Sequence, residues 1–326
     1  MIRVVSRLIC LLIPLVAASG CAARGSGIRA AAGPASAGYD PVTMDPPVMD
    51  SAHPPRLAEI AFRSGGERLN GLLYIAAGPD PHPVVLLLHG NPGNERNLDV
   101  AQAMRRAGST VLYFDYRGNW GSGGTFSRSH ALEDVAAALS WVRSPAVARR
   151  FGLDTTRIAL VGHSMGGWLA LMSAAADPKV ACVGVLDARN VGAYGHQLQR
   201  DSSAESALVA ANDSLTAPGA PYRAEGGGAG LVMEMKANAE RWDVTRHARQ
   251  LSDRPILLVA ATFKSDQDSL VAALGRAGAR QVTAFIWRTD HSFSNRRLAL
   301  AKTVVGWLRS SCQTSHGRAN VQLRNE

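Results

Sequence analysis

Arg157-Ile158-Ala159-Leu160-Val161-Gly162-His163-Ser164-Met165-Gly166-Gly167 is the stretch on which the reading of this chain turns. Its first half is an apolar run of strand composition, and Met165 to Ala176 has the composition of a helix that ends at Asp177-Pro178. A chain that passes from strand to helix in so few residues must turn sharply and hold Ser164 in a strained conformation. Glycine on both sides leaves room for the neighbouring backbone. The pattern G-x-S-x-G in this context lifts the serine hydroxyl above the edge of a sheet, over the free N–H groups of the helix's first turn.

Working outward, apolar runs alternate with helical periodicity. Glu59–Arg63 and Leu69–Ala76 flank Ser64-Gly65-Gly66-Glu67, a hairpin signal. Further strands are predicted at Pro83–Leu88, Thr110–Tyr116, Val180–Leu186, Pro255–Ala261 and Gln281–Trp287. Helices are predicted at Asn97–Ala107, Leu132–Val142, Leu270–Ala277 and Arg296–Ser310. The near-continuous run Pro83–Leu88 suits a strand buried on both faces. The alternation predicts an α/β fold with a doubly wound, mostly parallel sheet, whose reactive groups lie at the carboxyl ends of the strands. Residues 187–250, rich in Gly and Ala, break the alternation and read as an inserted cap.

A serine hydroxyl needs a base, and His291 in Asp290-His291-Ser292 follows directly on the strand ending at Trp287. The base needs an acid, in the chain order Ser, Asp or Glu, His. Thr262-Phe263-Lys264-Ser265-Asp266-Gln267-Asp268 follows the strand Pro255–Ala261, which makes Asp266 the expected acid and Asp268 the reserve. Whichever of the two is not the acid is expected to cap the following helix. Two backbone donors are needed for an oxyanion. Met165, next to the serine, is one; in His89-Gly90-Asn91-Pro92-Gly93, Pro92 has no N–H, so Asn91 is the other.

His89-Gly90, Asp115-Tyr116-Arg117-Gly118, Gly162-His163-Ser164-Met165-Gly166 and the late Asp and His resemble the α/β-hydrolase superfamily over roughly Ala58 to Ser310. Within it, Leu88-His89-Gly90-Asn91-Pro92-Gly93-Asn94 with Tyr116-Arg117-Gly118-Asn119-Trp120-Gly121 is similar to bacterial serine aminopeptidases, dipeptidyl-peptidase-like hydrolases and carboxylesterases. The resemblance implies the α/β-hydrolase fold and acyl transfer to water on an ester or a peptide, without a cofactor. It departs at the acid loop, where Ala261-Thr262-Phe263-Lys264-Ser265 replaces a short glycine-containing turn. Glu205, Asp213, Glu225 and Glu234 of the cap would bind a substrate amine in a peptidase, or else form a solvated face. Trp120 and Phe126 would line a pocket or pack their loop. A catalytically silent binding protein of the envelope is the alternative from another class.

Arg3 and Arg7, the apolar Leu8 to Ala18 and the small residues Ala17-Ala18-Ser19-Gly20 read as a signal peptide over residues 1–20. Ala18-Ser19-Gly20-Cys21 resembles a lipobox, which implies lipidation of Cys21 and attachment to a membrane; the alternative is ordinary cleavage and a periplasmic or secreted product. Residues 21–55 read as a flexible tether, 56–312 as the folded domain and 313–326 as a polar tail. With 46% hydrophobic and 19% charged residues, the chain has the composition of a large globular core. Its net charge of +9 comes from scattered arginines without aromatic interleaving or zinc-finger spacing, which argues against nucleic acid, and no cluster has metal-ligand spacing. Cys182, in an apolar strand, reads as a core thiol rather than a partner of Cys312.

Overall fold

Val84, Leu86 and Leu88 pack into one apolar cluster and Val85 and Leu87 into another, so the strand that carries them is buried on both faces. That is why its sequence is an unbroken apolar run and not an alternation. The computed structural model describes residues 38–217, 220, 222–312 and 322–325, and those from Tyr39 onward gather into one compact unit. The signal peptide and the lipidation residue Cys21 lie outside the described residues.

In chain order the elements are β1 (Arg56–Ser64), β2 (Glu67–Ile75), β3 (His82–Leu88), α1 (Leu98–Arg106), β4 (Thr110–Phe114), α2 (Arg128–Arg143), α3 (Pro145–Phe151), β5 (Leu153–His163), α4 (Met165–Ala176), β6 (Cys182–Leu186), α5 (Val191–Arg200), α6 (Glu205–Leu215), α7 (Gly227–Ala237), α8 (Ala239–Trp242), α9 (Ala248–Leu251), β7 (Ile256–Ala260), α10 (Lys264–Arg276), β8 (Val282–Ile286), α11 (Arg297–Trp307) and β9 (Gln322–Asn325). The sheet order is β1-β2-β4-β3-β5-β6-β7-β8-β9. β1 with β2 and β2 with β4 are antiparallel, and every other pair is parallel. The fold is the expected doubly wound α/β sheet, with α1 and α11 covering one face and α2 and α4 the other. β5, β6, β7 and β8 stand side by side, so the loops leaving their carboxyl ends form a row.

Three departures from the sequence reading follow from packing. Residues 39–44, expected within the tether, are docked: Val42 is buried, Arg106 Nε donates to the Pro41 carbonyl at 2.6 Å, and Asp40 pairs with Lys302 at 3.2 Å. Within the expected polar tail, Gln322–Asn325 adds a strand beside β8. Cys182 is a disulfide partner and not a core thiol: it is joined to Cys312, Cα to Cα 5.7 Å, across 130 residues, because the turn after α11 returns over the start of β6.

The insertion between β6 and β7 folds as α5 to α9 and is laced to the sheet by backbone. Arg223 N–H donates to the Gly118 carbonyl at 2.8 Å, Phe126 N–H to Arg223 at 2.6 Å and Glu225 N–H to Phe126 at 2.9 Å. Gly118 sits at φ 75°, and a Cβ there would overlap the Phe126 nitrogen and the Arg223 carbonyl oxygen, so only glycine admits this crossing.

Candidate active site

Ser164 stands at the junction of β5 and α4 with φ 57° and ψ −125°, in the left-handed half of backbone space. Such a conformation costs about 1–3 kcal/mol. Burying one large apolar side chain contributes about 1.5–3 kcal/mol, and α4 buries Trp168, Leu169 and Leu171 among others. The strain is therefore carried easily by the helix that follows. A Cβ at Gly162 would overlap Gly166, and one at Gly166 would overlap the Leu88 carbonyl, so both flanking glycines are required by direct backbone contact.

The loop after β3 passes over the serine. A Cβ on Gly90 would lie 2.8 Å from Ser164 Cβ and 3.3 Å from its Oγ. Asn91 comes next, and its backbone N–H has no acceptor among the described residues, while Met165, as the first residue of α4, has no intrahelical acceptor. The Asn91 side chain reaches the cap, donating to Asn212 Oδ1 at 3.5 Å. His89 braces this loop from within: it is buried, its Nδ1 donates to the Gly90 carbonyl at 2.7 Å, and its ring lies 4.2 Å from that of Tyr116. Burial pushes the His89 imidazole down to about 4, so it is neutral near pH 7. Trp120 and Phe126 pack loops: Trp120 Nε1 donates to the Pro92 carbonyl at 2.8 Å, and Phe126 is buried against Tyr222.

His291 lies in the loop after β8, and its Nδ1 donates to Asp187 Oδ2 at 2.7 Å. Asp187 follows β6, with its backbone N–H donating to Val259 at 2.6 Å and its φ at 47°. Its buried carboxylate also accepts from the N–H groups of Ala261 (2.8 Å), Thr262 (2.9 Å) and Phe263 (3.0 Å), and from the Thr262 hydroxyl at 2.5 Å. Burial alone would raise the carboxyl's pKa, but the bonds from His291, Phe263, Thr262 and Ala261 outweigh it and hold the group well below the usual carboxylate range. An ionised Asp187 fixes the proton of His291 on Nδ1 and leaves Nε2 as the proton acceptor.

The sequence reading put the acid at Asp266, with Asp268 in reserve, but the carboxylate bonded to His291 is Asp187. α10 starts at Lys264, so both already belong to the helix. Asp266 Oδ2 accepts from Asn190 N–H at 3.2 Å, and Asp268 pairs with Lys264 on the surface. The loop after β7 supplies donors to the carboxylate of β6 instead of supplying a carboxylate. The overlooked signal was the position of Asp187, directly after the apolar strand ending at Leu186, at the same edge of the sheet as Ser164.

His163 completes the brace. Its buried ring lies 4.6 Å from that of His291, and its Nε2 donates to the His291 carbonyl at 2.7 Å. Burial first of all pushes the His163 imidazole down to about 4, so it acts as a neutral donor.

The four acidic residues of the cap are each engaged away from this row. Glu234 accepts from the N–H groups of Arg128 and Ser129 at 2.9 Å, Glu205 pairs with Lys236 at 2.8 Å, Asp213 accepts from Gly228 N–H at 2.6 Å, and Glu225 faces His130 at 3.8 Å.

A strained serine at a strand-to-helix turn and a histidine held by a buried carboxylate, in one row of strand ends, are the groups that acyl transfer uses. The sequence pattern of the alpha/beta hydrolase family matches residues 85–317, from β3 past α11. The chain belongs to the alpha/beta hydrolase family. The chain is 30% identical over 146 residues to the uncharacterized protein Rv2307c of Mycobacterium tuberculosis, covering 44% of this chain and 50% of that one. It therefore spans about half the length of that relative. Its fold is similar to that of the Pyrococcus horikoshii acylaminoacyl peptidase, with a TM-score of 0.59 and 14% identity, covering 82% of this chain and 43% of the peptidase. It is similar also to a thermostable carboxyl esterase of Bacillus coagulans, with a TM-score of 0.57 and 14% identity, covering 78% of this chain and 99% of the esterase.

Proposed function

We propose that this hydrolase is a serine esterase acting through an acyl-enzyme. The observation that carries the reading is the 2.7 Å bond from His291 Nδ1 to the buried, ionised Asp187, in the row of strand ends that also holds Ser164. Ser164 Oγ attacks the ester carbonyl carbon and His291 Nε2 takes the hydroxyl proton. Asp187 stabilises the imidazolium without itself becoming protonated. The N–H groups of Met165 and Asn91 receive the charge on the carbonyl oxygen. His291 returns the proton to the leaving alcohol as the carbon–oxygen bond breaks, and water, deprotonated by His291, releases the acid and restores Ser164.

The cap favours an ester over a peptide with a free amine: Glu205, Asp213 and Glu234 are engaged by Lys236, the Gly228 N–H and the N–H groups of Arg128 and Ser129, and Glu225 lies exposed beside His130. Export, with Cys21 as the lipidated residue, is part of the same reading. It is supported by the Cys182–Cys312 bridge, which fits an oxidising compartment. Loss of radiolabelled palmitate incorporation in Cys21→Ser would accord with it; unchanged incorporation would exclude lipidation at that residue.

The test is labelling of purified protein with a fluorophosphonate, followed by assay on 4-nitrophenyl esters and aminoacyl 4-nitroanilides. Labelling that disappears in Ser164→Ala and His291→Ala, with turnover confined to esters, is expected. Faster turnover of the anilides would replace the esterase by a peptidase, and no labelling of folded protein would leave a binding protein.

A further inference from the structure

Most of the other buried or half-buried arginines are tied down, Arg105 on α1 excepted. Arg117 pairs with Asp134, Arg254 donates to the carbonyls of Ala174 and Val180, and Arg297 holds Asn97 and Ser292. Arg189 is different. It stands two residues after Asp187, and among the described residues it makes no hydrogen bond and no ion pair, although it is half-buried. Its guanidinium lies 3.4 Å from the centroid of the Tyr194 ring on α5 and 5.4 Å from that of Phe263. Phe263 in turn meets the His291 ring edge-on at 5.3 Å. The carboxylate of Asp266 accepts from the Asn190 N–H and feels the charge of Arg189 without forming an ion pair with it.

Stacking on aromatic faces fixes the plane of a guanidinium while leaving the N–H groups at its edge available. A cation held by stacking, partly desolvated and without a hydrogen bond or ion pair among the described residues, one ring away from the histidine, has the fork geometry that takes a carboxylate through two parallel bonds. Backbone holds it there: Asp187 is anchored by its own N–H and by the donors of the β7 loop, so the position of Arg189 is inherited from the acid.

We propose that Arg189 is a specificity-determining anion site, and that the preferred substrates are esters carrying a second, free carboxylate. This rests on the esterase reading and names its substrate class. Arg189 touches the distant end of the substrate and takes no part in bond breaking.

The experiment compares charged and neutral esters of matched shape. Mono-4-nitrophenyl glutarate against 4-nitrophenyl valerate places the carboxylate on the acyl side; 4-butyryloxybenzoate against phenyl butyrate places it on the leaving group. The quantity read is the ratio of kcat/KM, charged over neutral, for the natural protein, Arg189→Met and Arg189→Lys. For one pair the ratio is expected to fall at least tenfold in Arg189→Met, chiefly through KM, and to be partly kept in Arg189→Lys. A role confined to packing α5 would lower both esters together and leave the ratio unmoved. Ratios alike in all three proteins for both pairs overturn the proposal. Should neither ester be turned over and Ser164 not be labelled by the fluorophosphonate, the esterase reading has failed. Glutarate then decides for Arg189: a rise in melting temperature in the natural protein that is absent in Arg189→Met sustains the anion site, and no rise sinks it.

Discussion

At the scale of single residues, the arrangement around Asp187 explains why its carboxylate is held so firmly. Three backbone N–H groups and a hydroxyl converge on one buried carboxylate, which also accepts from His291 and so fixes the orientation of its ring. An amide at this position would present its NH2 to some of these donors and fail to fix the imidazole tautomer. Asp187→Asn is therefore expected to lower kcat on a 4-nitrophenyl ester by about 10⁴, while Asp266→Asn and Asp268→Asn retain most of the activity. The reverse order, measured on folded variants, would return the acid to α10. His163 acts at one remove, through the carbonyl of His291. His163→Phe keeps the ring and removes the donor. It should lower kcat more than it raises KM, and it should displace the pH profile of kcat, because the geometry of the base would loosen.

At the scale of elements, the site is a set of close approaches between the β3 loop, the turn into α4 and the loops after β6, β7 and β8. Gly90 faces Ser164 so closely that a methyl group must displace one of them. Gly90→Ala should thus cost about a hundredfold in kcat/KM, as misplacement by an ångström commonly does, with the melting temperature little changed. Gly118→Ala strikes instead at the backbone crossing between the cap and the β4 loop. It is expected to expose the cap to limited proteolysis near residue 223 while the sheet stays folded, and an unchanged digestion pattern would show that the crossing is dispensable. Helix α4 is buried almost all round, which suits an element that must keep the serine turn rigid from below.

At the scale of the whole molecule, two features set stability. The disulfide closes a loop of 130 residues, and cross-links over such loops contribute about 2–5 kcal/mol. Replacing both Cys182 and Cys312 by Ala should lower the free energy of unfolding in urea by that order, and thiol titration of the natural protein should find neither reactive. The buried histidines set the acid limit. His89 and His163 have folded pKa values pushed down to about 4 from an unfolded value near 6.5. Between those values the unfolded chain binds more protons, so stability is complete above pH 6.5 and is lost as the pH falls toward 4. The full difference is about 3 kcal/mol for each group. Asp187, depressed in the folded state, keeps its contribution until the pH falls below about 4. Urea midpoints should therefore decline from pH 6.5 to 4.5, offset in part by Asp115, Asp134 and Asp266, whose carboxyl pKa values burial raises, and a rise over that interval would contradict the burial of the two rings.

What the sequence determined by itself was local in origin. The apolar run before Gly162, the glycines around Ser164 and the alternation of strand and helix periods fix the elbow and a doubly wound, mostly parallel sheet, because each rests on backbone preferences and burial that neighbouring residues dictate. The place of His291 just past a strand was legible for the same reason. Its carboxylate partner was not, because a carboxylate becomes the partner of a histidine only where distant backbone donors converge on it: Asp187 and Asp266 both come after strands, and the N–H groups of Ala261, Thr262 and Phe263 turn toward the first. The pairing of Cys182 with Cys312, the docking of residues 39–44 and the unpartnered state of Arg189 were decided in the same way. Each depends on which surfaces meet when the sheet is wound, and contacts across a hundred residues leave no periodicity in the chain that makes them.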